Sequence, residues 1–236
     1  MKKSKKLLSA LLAGLMAVSS MSPVFAAGDG KAAAQQAQAA AAAAGRDPGE
    51  ITLCAATKVQ SDDTIRAAIA AGITLCGENR VQELTAHLAA GAYAGAQVHF
   101  IGHLQTNKVK QVVGKAALIH SVDSQRLLQA IDSQAGKLGL VQDILLEVNI
   151  GREAAKSGFL PEGILPGAEA ALTKAHVRVR GLMTIPPADA QRDANFRYFQ
   201  EVQALYVDMN QKLFHNELEY LSMGMSGDYE DAIRAG

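Results

Sequence analysis

The sequence has 236 residues, 49% of them hydrophobic and 5% aromatic with no Trp, which suits one α/β domain with an aliphatic core and excludes an aromatic-rich sandwich. Lys and Arg total 23 against 23 for Asp and Glu, so no global basic field recruits nucleic acid. Residues 1–26 hold four lysines and no acid; without them 19 basic residues face 23 acidic ones, and the body is mildly acidic.

The chain opens with Lys2 to Lys6, an apolar run from Leu7 to about Val18, and Val24-Phe25-Ala26 before Ala27. That order is the pattern of a secretory signal, so residues 1–26 are predicted to direct export to the periplasm or beyond the cell. The apolar run is too short and too interrupted by Ser for a spanning helix, and no stable membrane insertion is expected once the signal is removed. Residues 27–50 follow as an Ala-rich helix, Asp29–Ala44, stopped by Gly45, and a linker. With little large to bury, this helix is expected to be marginal, packed on the outside of the domain or frayed.

From residue 51 to residue 236 one unit repeats: an apolar strand, a polar or Gly-containing loop, an amphipathic helix. Strands are predicted at Ile51–Lys58, Thr74–Asn79, Gln97–Gly102, Ala117–Val122, Asp143–Asn149, Val177–Ile185 and Glu219–Met225. Helices are predicted at Asp62–Ala71, Val81–Ala90, Asn107–Gly114, Ser124–Leu138, Pro161–Lys174, Asp193–Phe214 and Asp228–Ala235. Strict alternation without hairpin signals means a parallel sheet, closed as a barrel or open and doubly wound, and the count of units favours the barrel. About seven βα units approach the eight of a (β/α)8 TIM barrel, and the sequence stops at Gly236 where an eighth strand belongs. The seam between the first and seventh strands is therefore expected to be open.

The first strand ends abruptly at Lys58, ahead of the helix-capping residues Ser61-Asp62-Asp63. In parallel α/β folds ligands collect at the carboxyl edge of the sheet. Partial desolvation there favours the neutral amine that attacks a carbonyl. From this segment alone, Lys58 fits either a Schiff-base lysine or a surface lysine where a strand meets water. Further polar groups end other strands: Gly77-Glu78-Asn79, Ile101-Gly102-His103, Met183-Thr184 and Ser222-Met223-Gly224-Met225-Ser226-Gly227-Asp228. Ser226 and Gly227 before a helix starting at Asp228 offer a hydroxyl and backbone N–H groups to a phosphate; Ser226 or Asp228 acting only as an N-cap fits as well.

Other chemistries find less support. Gly224 to Asp228 lacks the last Gly of a nucleophile elbow, and Gly151 to Ser157 lacks the Gly that precedes the lysine of a P-loop. His99 and His103 lie on a strand and its exit without a partnering carboxylate motif, so no metal site is expected. His87, His176 and His215 read as helix-surface or loop residues. Period-two alternation puts Cys54 on the face of Lys58 and Cys76 on the opposite face, which argues against a disulfide.

Ala55-Ala56-Thr57-Lys58, Gly77-Glu78-Asn79-Arg80-Val81-Gln82-Glu83 and His99-Phe100-Ile101-Gly102-His103-Leu104-Gln105-Thr106-Asn107-Lys108 together resemble the YggS/PROSC family of pyridoxal phosphate homeostasis proteins. The likeness continues through Glu147-Val148-Asn149, Lys156-Ser157-Gly158-Phe159, Arg180-Gly181-Leu182-Met183 and Leu221 to Ser226, covering about residues 45–236. It implies a barrel like the N-terminal domain of alanine racemase, with pyridoxal 5′-phosphate (PLP) as cofactor. It also implies that Lys58 holds the cofactor aldehyde as a Schiff base, that Asn79 and His103 lie around the ring and that Met183 packs near it. Ser222, Ser226 and the Gly227 backbone would help to hold the phosphate. The expected function is a PLP carrier or buffer without robust turnover, a monomer whose partners are PLP and PLP-dependent apo-enzymes as acceptors. The alternatives are a racemase-like enzyme acting on amino acids, needing a second acid/base opposite Lys58, and a scaffold that has lost the cofactor. This chain departs from the family in lacking the Arg-Ile-Gly-Thr-like strand after the last helix and in carrying a leader, where relatives are cytoplasmic.

Overall fold

The computed structural model describes residues 6–9, 29–187 and 192–236. Its strands are β1 (Lys6–Ser9), β2 (Ile51–Leu53), β3 (Ala55–Ala56), β4 (Leu75–Glu78), β5 (Gln97–Phe100), β6 (Leu118–Val122), β7 (Gln142–Val148), β8 (Val177–Thr184) and β9 (Tyr220–Met223). They form one sheet in the order β2-β1-β9-β8-β7-β6-β5-β4-β3, every pair parallel. Cys54 alone separates β2 from β3, so the two ends of the sheet are successive pieces of one strand and the sheet curls round as in an α/β barrel.

The seam between the first strand and β9 does not have the bare edges expected. Lys6–Ser9 lies in it, with Leu7 level with Ile51 on one side and with Leu221 on the other. A parallel sheet with two exposed edges leaves rows of N–H and C=O groups unpaired, and an extended segment from the chain start satisfies both rows. The rest of the signal-like stretch, residues 1–5 and 10–26, lies outside the described residues.

The α-helices are α1 (Asp29–Ala43), α2 (Asp62–Ala70), α3 (Val81–Ala89), α4 (Gln125–Leu138), α5 (Ile164–Leu172), α6 (Arg192–Leu213) and α7 (Tyr229–Ala235). Local signals set their ends. Ser61 Oγ accepts the Thr64 N–H at the start of α2, Ser124 Oγ accepts the Leu127 N–H at the start of α4, and Gly139 ends α4 in the left-handed conformation. The helix predicted over Asn107–Gly114 is instead a 3₁₀ segment, Thr106–Gln111. Gln105 supplies no side-chain cap there, and Val109, Val112 and Val113 are β-branched and buried, so packing overrides a weak helix propensity. Helix α1 packs on the outside of the barrel through Ala37 and Ala41, with the Tyr229 hydroxyl donating to Gln36 Oε1 at 3.2 Å.

Alternation along the strands divides the apolar residues into two cores. Ile65, Leu84, Phe100, Ile119, Leu128 and Ile144 lie in the layer between sheet and helices. Cys54, Ala56, Leu75, Ile101, Leu118, Leu145 and Met183 fill the inside of the curl, with Tyr220 against them. Cys54 and Cys76 are both free thiols and belong to different cores. At the amino end of the strands Asp143 binds Arg178 and Arg180, and Arg180 also binds Glu219 at 2.5 Å. With that end closed by ion pairs, the opposite rim is where polar strand exits converge. His87 is not on the surface as expected: it is buried on α3, its Nδ1 2.6 Å from Asp62 Oδ1 and its ring edge-on to Tyr93.

Candidate functional site

Lys58 lies two residues past β3 and is half-buried, on the inward phase set by Cys54 and Ala56. The residue before it is clamped. Thr57 continues the ladder, its N–H donating to the Gly77 carbonyl at 2.9 Å, and its hydroxyl donates to Glu78 Oε2 at 2.8 Å. Glu78 is fully buried in the outer layer and also accepts the Tyr93 hydroxyl at 2.9 Å and the Asn79 N–H at 3.0 Å. One buried carboxylate thus fixes the exits of two neighbouring strands. Asn79 follows Glu78 on the inward phase at the exit of the neighbouring strand, and its Oδ1 is buried with no hydrogen-bond partner among the described residues. A buried acceptor without a donor is costly, so this oxygen is poised for a ligand. Beyond Lys58 the backbone is strained: Val59 has φ 62°, and Glu83 Oε2 accepts its N–H at 3.0 Å.

His103 lies past β5 and is exposed, with Nδ1 3.3 Å from Asp123 Oδ2 and 3.1 Å from Ser157 Oγ. Asp123 follows β6 and is itself held by the Ser124 hydroxyl at 2.8 Å. Glu147, near the end of β7, has its carboxyl pushed up to about 7 by burial and then by the Asp123 charge. It stands level with Met183 on β8, which is buried in the inner core and level in turn with Ser222 on β9.

Ser222 is half-buried, its Oγ 3.0 Å from Nδ1 of His120 on β6, and His120 Nε2 is 2.9 Å from Nδ1 of His99 on β5. Ser226 and Gly227 are exposed on the loop that leaves β9. Helix α7 starts at Tyr229 rather than Asp228 and has seven residues. Asp228 closes the turn, Oδ1 accepting the Met225 N–H at 2.6 Å and Oδ2 accepting from Asn195 Nδ2 at 3.0 Å; its burial raises the carboxyl pKa.

Lys58, Asn79, His103, Met183 and Ser222 therefore share the carboxyl rim and the inner face of one curled sheet, while Ser226 and Gly227 belong to the loop above it. The sequence reading missed Glu78 as a clamp, Asp123, Glu147 and His120. Period-two alternation from Leu118 and Leu145 would have pointed His120 and Glu147 inward; the Glu78 contacts depend on packing across three elements. The residues present fit a cofactor with an aldehyde and a phosphate, because the rim offers an amine, an unpartnered amide oxygen and a hydroxyl oriented by a neutral imidazole.

The family model described as "Alanine racemase, N-terminal domain" matches residues 29–235. A protein of Aquifex aeolicus named "Pyridoxal phosphate homeostasis protein" is 41% identical over 199 residues, spanning 84% of this chain and 87% of that relative. One of the same name from Pseudomonas aeruginosa is 39% identical over 199 residues, 84% of each chain. Among solved structures, an unknown protein from Bifidobacterium adolescentis matches with TM-score 0.83 at 33% identity over 89% of both chains. PipY of Synechococcus elongatus with PLP bound matches with TM-score 0.73 at 30% identity, covering 86% of this chain and 93% of PipY. This chain belongs to the family of the alanine racemase N-terminal domain and, within it, to the pyridoxal phosphate homeostasis proteins.

Proposed function

We propose that this protein binds pyridoxal 5′-phosphate and serves its homeostasis, holding the cofactor reversibly as a Schiff base on Lys58 and releasing it to PLP-dependent apo-enzymes. The observation that carries the reading is Lys58 leaving the inner strand beside the unpartnered Asn79 Oδ1, in a chain similar to PipY, whose structure was solved with PLP bound. When bound, the cofactor supplies an electrophilic aldehyde carbon and a phosphate. The chain's own residues do the rest. Glu78 and Thr57 fix the strand exit that carries the amine, and Asn79 Oδ1 would accept a hydrogen bond from the ring. His103, steadied by Asp123 and Ser157, and Met183 would line the ring. Ser222, Ser226 and the Gly227 backbone would hold the phosphate.

The test is an absorbance spectrum of the full chain mixed with PLP, then borohydride reduction and peptide mapping, beside Lys58→Ala. A visible band and a stable label on Lys58, both lost in the variant, are expected. No band, or a label confined to other lysines, overturns the reading. The order of Lys2 to Lys6, the apolar run and Val24-Phe25-Ala26 supports the further proposal that residues 1–26 direct export. Recovery from cells of a chain that still begins at Met1 overturns that.

A further inference from the structure

Inside the curl, two histidines and a serine from three strands form a chain of hydrogen bonds. His99 on β5 is 5% exposed and His120 on β6 is 1% exposed. Their rings stand 5.1 Å apart at 55°, with His99 Nδ1 2.9 Å from His120 Nε2. His120 Nδ1 is 3.0 Å from Ser222 Oγ, 102 positions further along the chain on β9. Burial holds the His99 pKa down to about 4, and burial together with the His99 ring holds His120 well below its usual value. Near neutral pH each ring is uncharged and carries one proton, on Nδ1 or on Nε2.

Those constraints leave two arrangements. In one, His99 Nδ1–H donates to His120 Nε2, His120 Nδ1–H donates to Ser222 Oγ, and the serine hydroxyl hydrogen is left to point away from the histidines. In the other, Ser222 donates to His120 Nδ1, and His120 Nε2–H donates to His99 Nδ1. Mixed arrangements put two hydrogens, or none, between a pair of nitrogens about 3 Å apart and are excluded by the distances. The serine's direction and the tautomers of both rings are one variable.

We propose that His120, set by His99, is a positioning residue that turns the Ser222 hydroxyl toward a phosphoryl group in the mouth of the curl. A phosphate offers only acceptors, so it selects the arrangement in which Ser222 donates outward and both rings carry their proton on Nδ1. The chain thereby discriminates a phosphorylated ligand from its dephosphorylated counterpart through the direction of one hydroxyl. This rests on the reading that Ser222 faces the cofactor phosphate.

The test uses the full chain labelled with ¹⁵N-histidine, its tautomers read from long-range ¹⁵N–¹H correlations before and after addition of PLP. With PLP bound, His99 and His120 are both expected as Nδ1–H tautomers. Bound PLP with the His120 proton on Nε2 overturns this inference and leaves the proposed function standing; failure to bind PLP at all overturns both. A second measurement is the ratio of the pyridoxal and PLP dissociation constants, in which general destabilisation cancels. His120→Asn keeps a donor near the Nδ1 position and is expected to hold that ratio within about threefold, whereas His120→Leu and Ser222→Ala each lower it roughly tenfold. An unchanged ratio in His120→Leu overturns the inference.

Discussion

The Thr57 hydroxyl donates to Glu78 Oε2 at 2.8 Å, one residue before Lys58 on one strand and one residue before Asn79 on the next. Glu78 accepts three hydrogen bonds, from Thr57, Tyr93 and the Asn79 N–H, and is fully buried. Removing it takes the shared acceptor from two buried hydroxyls and the Asn79 N–H, leaving Thr57 only its longer contacts with the Gly77 carbonyl at 3.2 Å and the Tyr93 hydroxyl at 3.3 Å. Glu78→Ala is therefore expected to lower stability by about 3–4 kcal/mol, and Tyr93→Phe by about 1 kcal/mol, in urea unfolding. Glu78→Ala should also weaken capture of PLP by Lys58, since the amine loses its fixed strand exit. Wild-type stability in Glu78→Ala would show that the clamp is ornamental.

Glu147 sets a slope of stability against pH. Its carboxyl is raised from 4.5 to about 7 by burial and by Asp123. The folded state thus binds more protons than the unfolded state between those values. Glu147 has no effect below about pH 4.5 and costs stability progressively up to pH 7, by on the order of 2–3 kcal/mol. Glu147→Gln should leave stability unchanged at pH 4.5 and raise it at pH 8. His99, with its lowered pKa, contributes a slope of opposite sign, but it is present in both proteins and cancels in the difference. A difference that does not grow with pH would rule out the burial assigned to Glu147.

Much of this site was legible because strand exits in an alternating βα chain must lie on one rim. Lys58, Asn79 and His103 each follow a strand whose inward phase is fixed by apolar neighbours, and Met183 lies in the inner core as its place on β8 implies. Contacts between residues far apart were not legible. Ser222 meets His120 across 102 positions, and Tyr93 reaches Glu78 only after α3 has packed. Val109, Val112 and Val113 satisfy a helical pattern over Asn107–Gly114, while the core holds Thr106–Gln111 in a tighter 3₁₀ turn. The loop after β9 does lead into a helix with Asp228 at its N-cap position, but the Asp228 side chain turns back to the Met225 N–H and makes no cap bond to α7.

Val59 carries strain beside the proposed cofactor lysine. A β-branched residue at φ 62° is disfavoured, and its side chain is 78% exposed, so it recovers nothing by packing. Val59→Gly should raise stability by about 1 kcal/mol, the relief of strain outweighing the greater freedom of Gly in the unfolded chain. The Glu83 contact is to the backbone N–H and survives the change. If the strain is used to hold the amine in place, Val59→Gly will be more stable yet bind PLP less tightly. A variant that is both less stable and unchanged in binding would show that Val59 is at ease in this conformation.

Lys6–Ser9 pairs with β2 on one side and β9 on the other, and those residues fall within the stretch proposed to direct export. A chain that starts at Ala27 loses both rows of parallel hydrogen bonds and exposes the β2 and β9 edges together. It should melt at a lower temperature than the full chain, and its backbone amides at Ile51–Leu53 and Tyr220–Met223 should exchange with solvent faster, while β5 to β7 stay protected. Adding a peptide of residues 1–12 in trans should restore protection at those two strands and nowhere else. Equal melting temperatures and equal exchange would mean that the seam holds without Lys6–Ser9, and that a leader can be removed from this barrel at no cost to it.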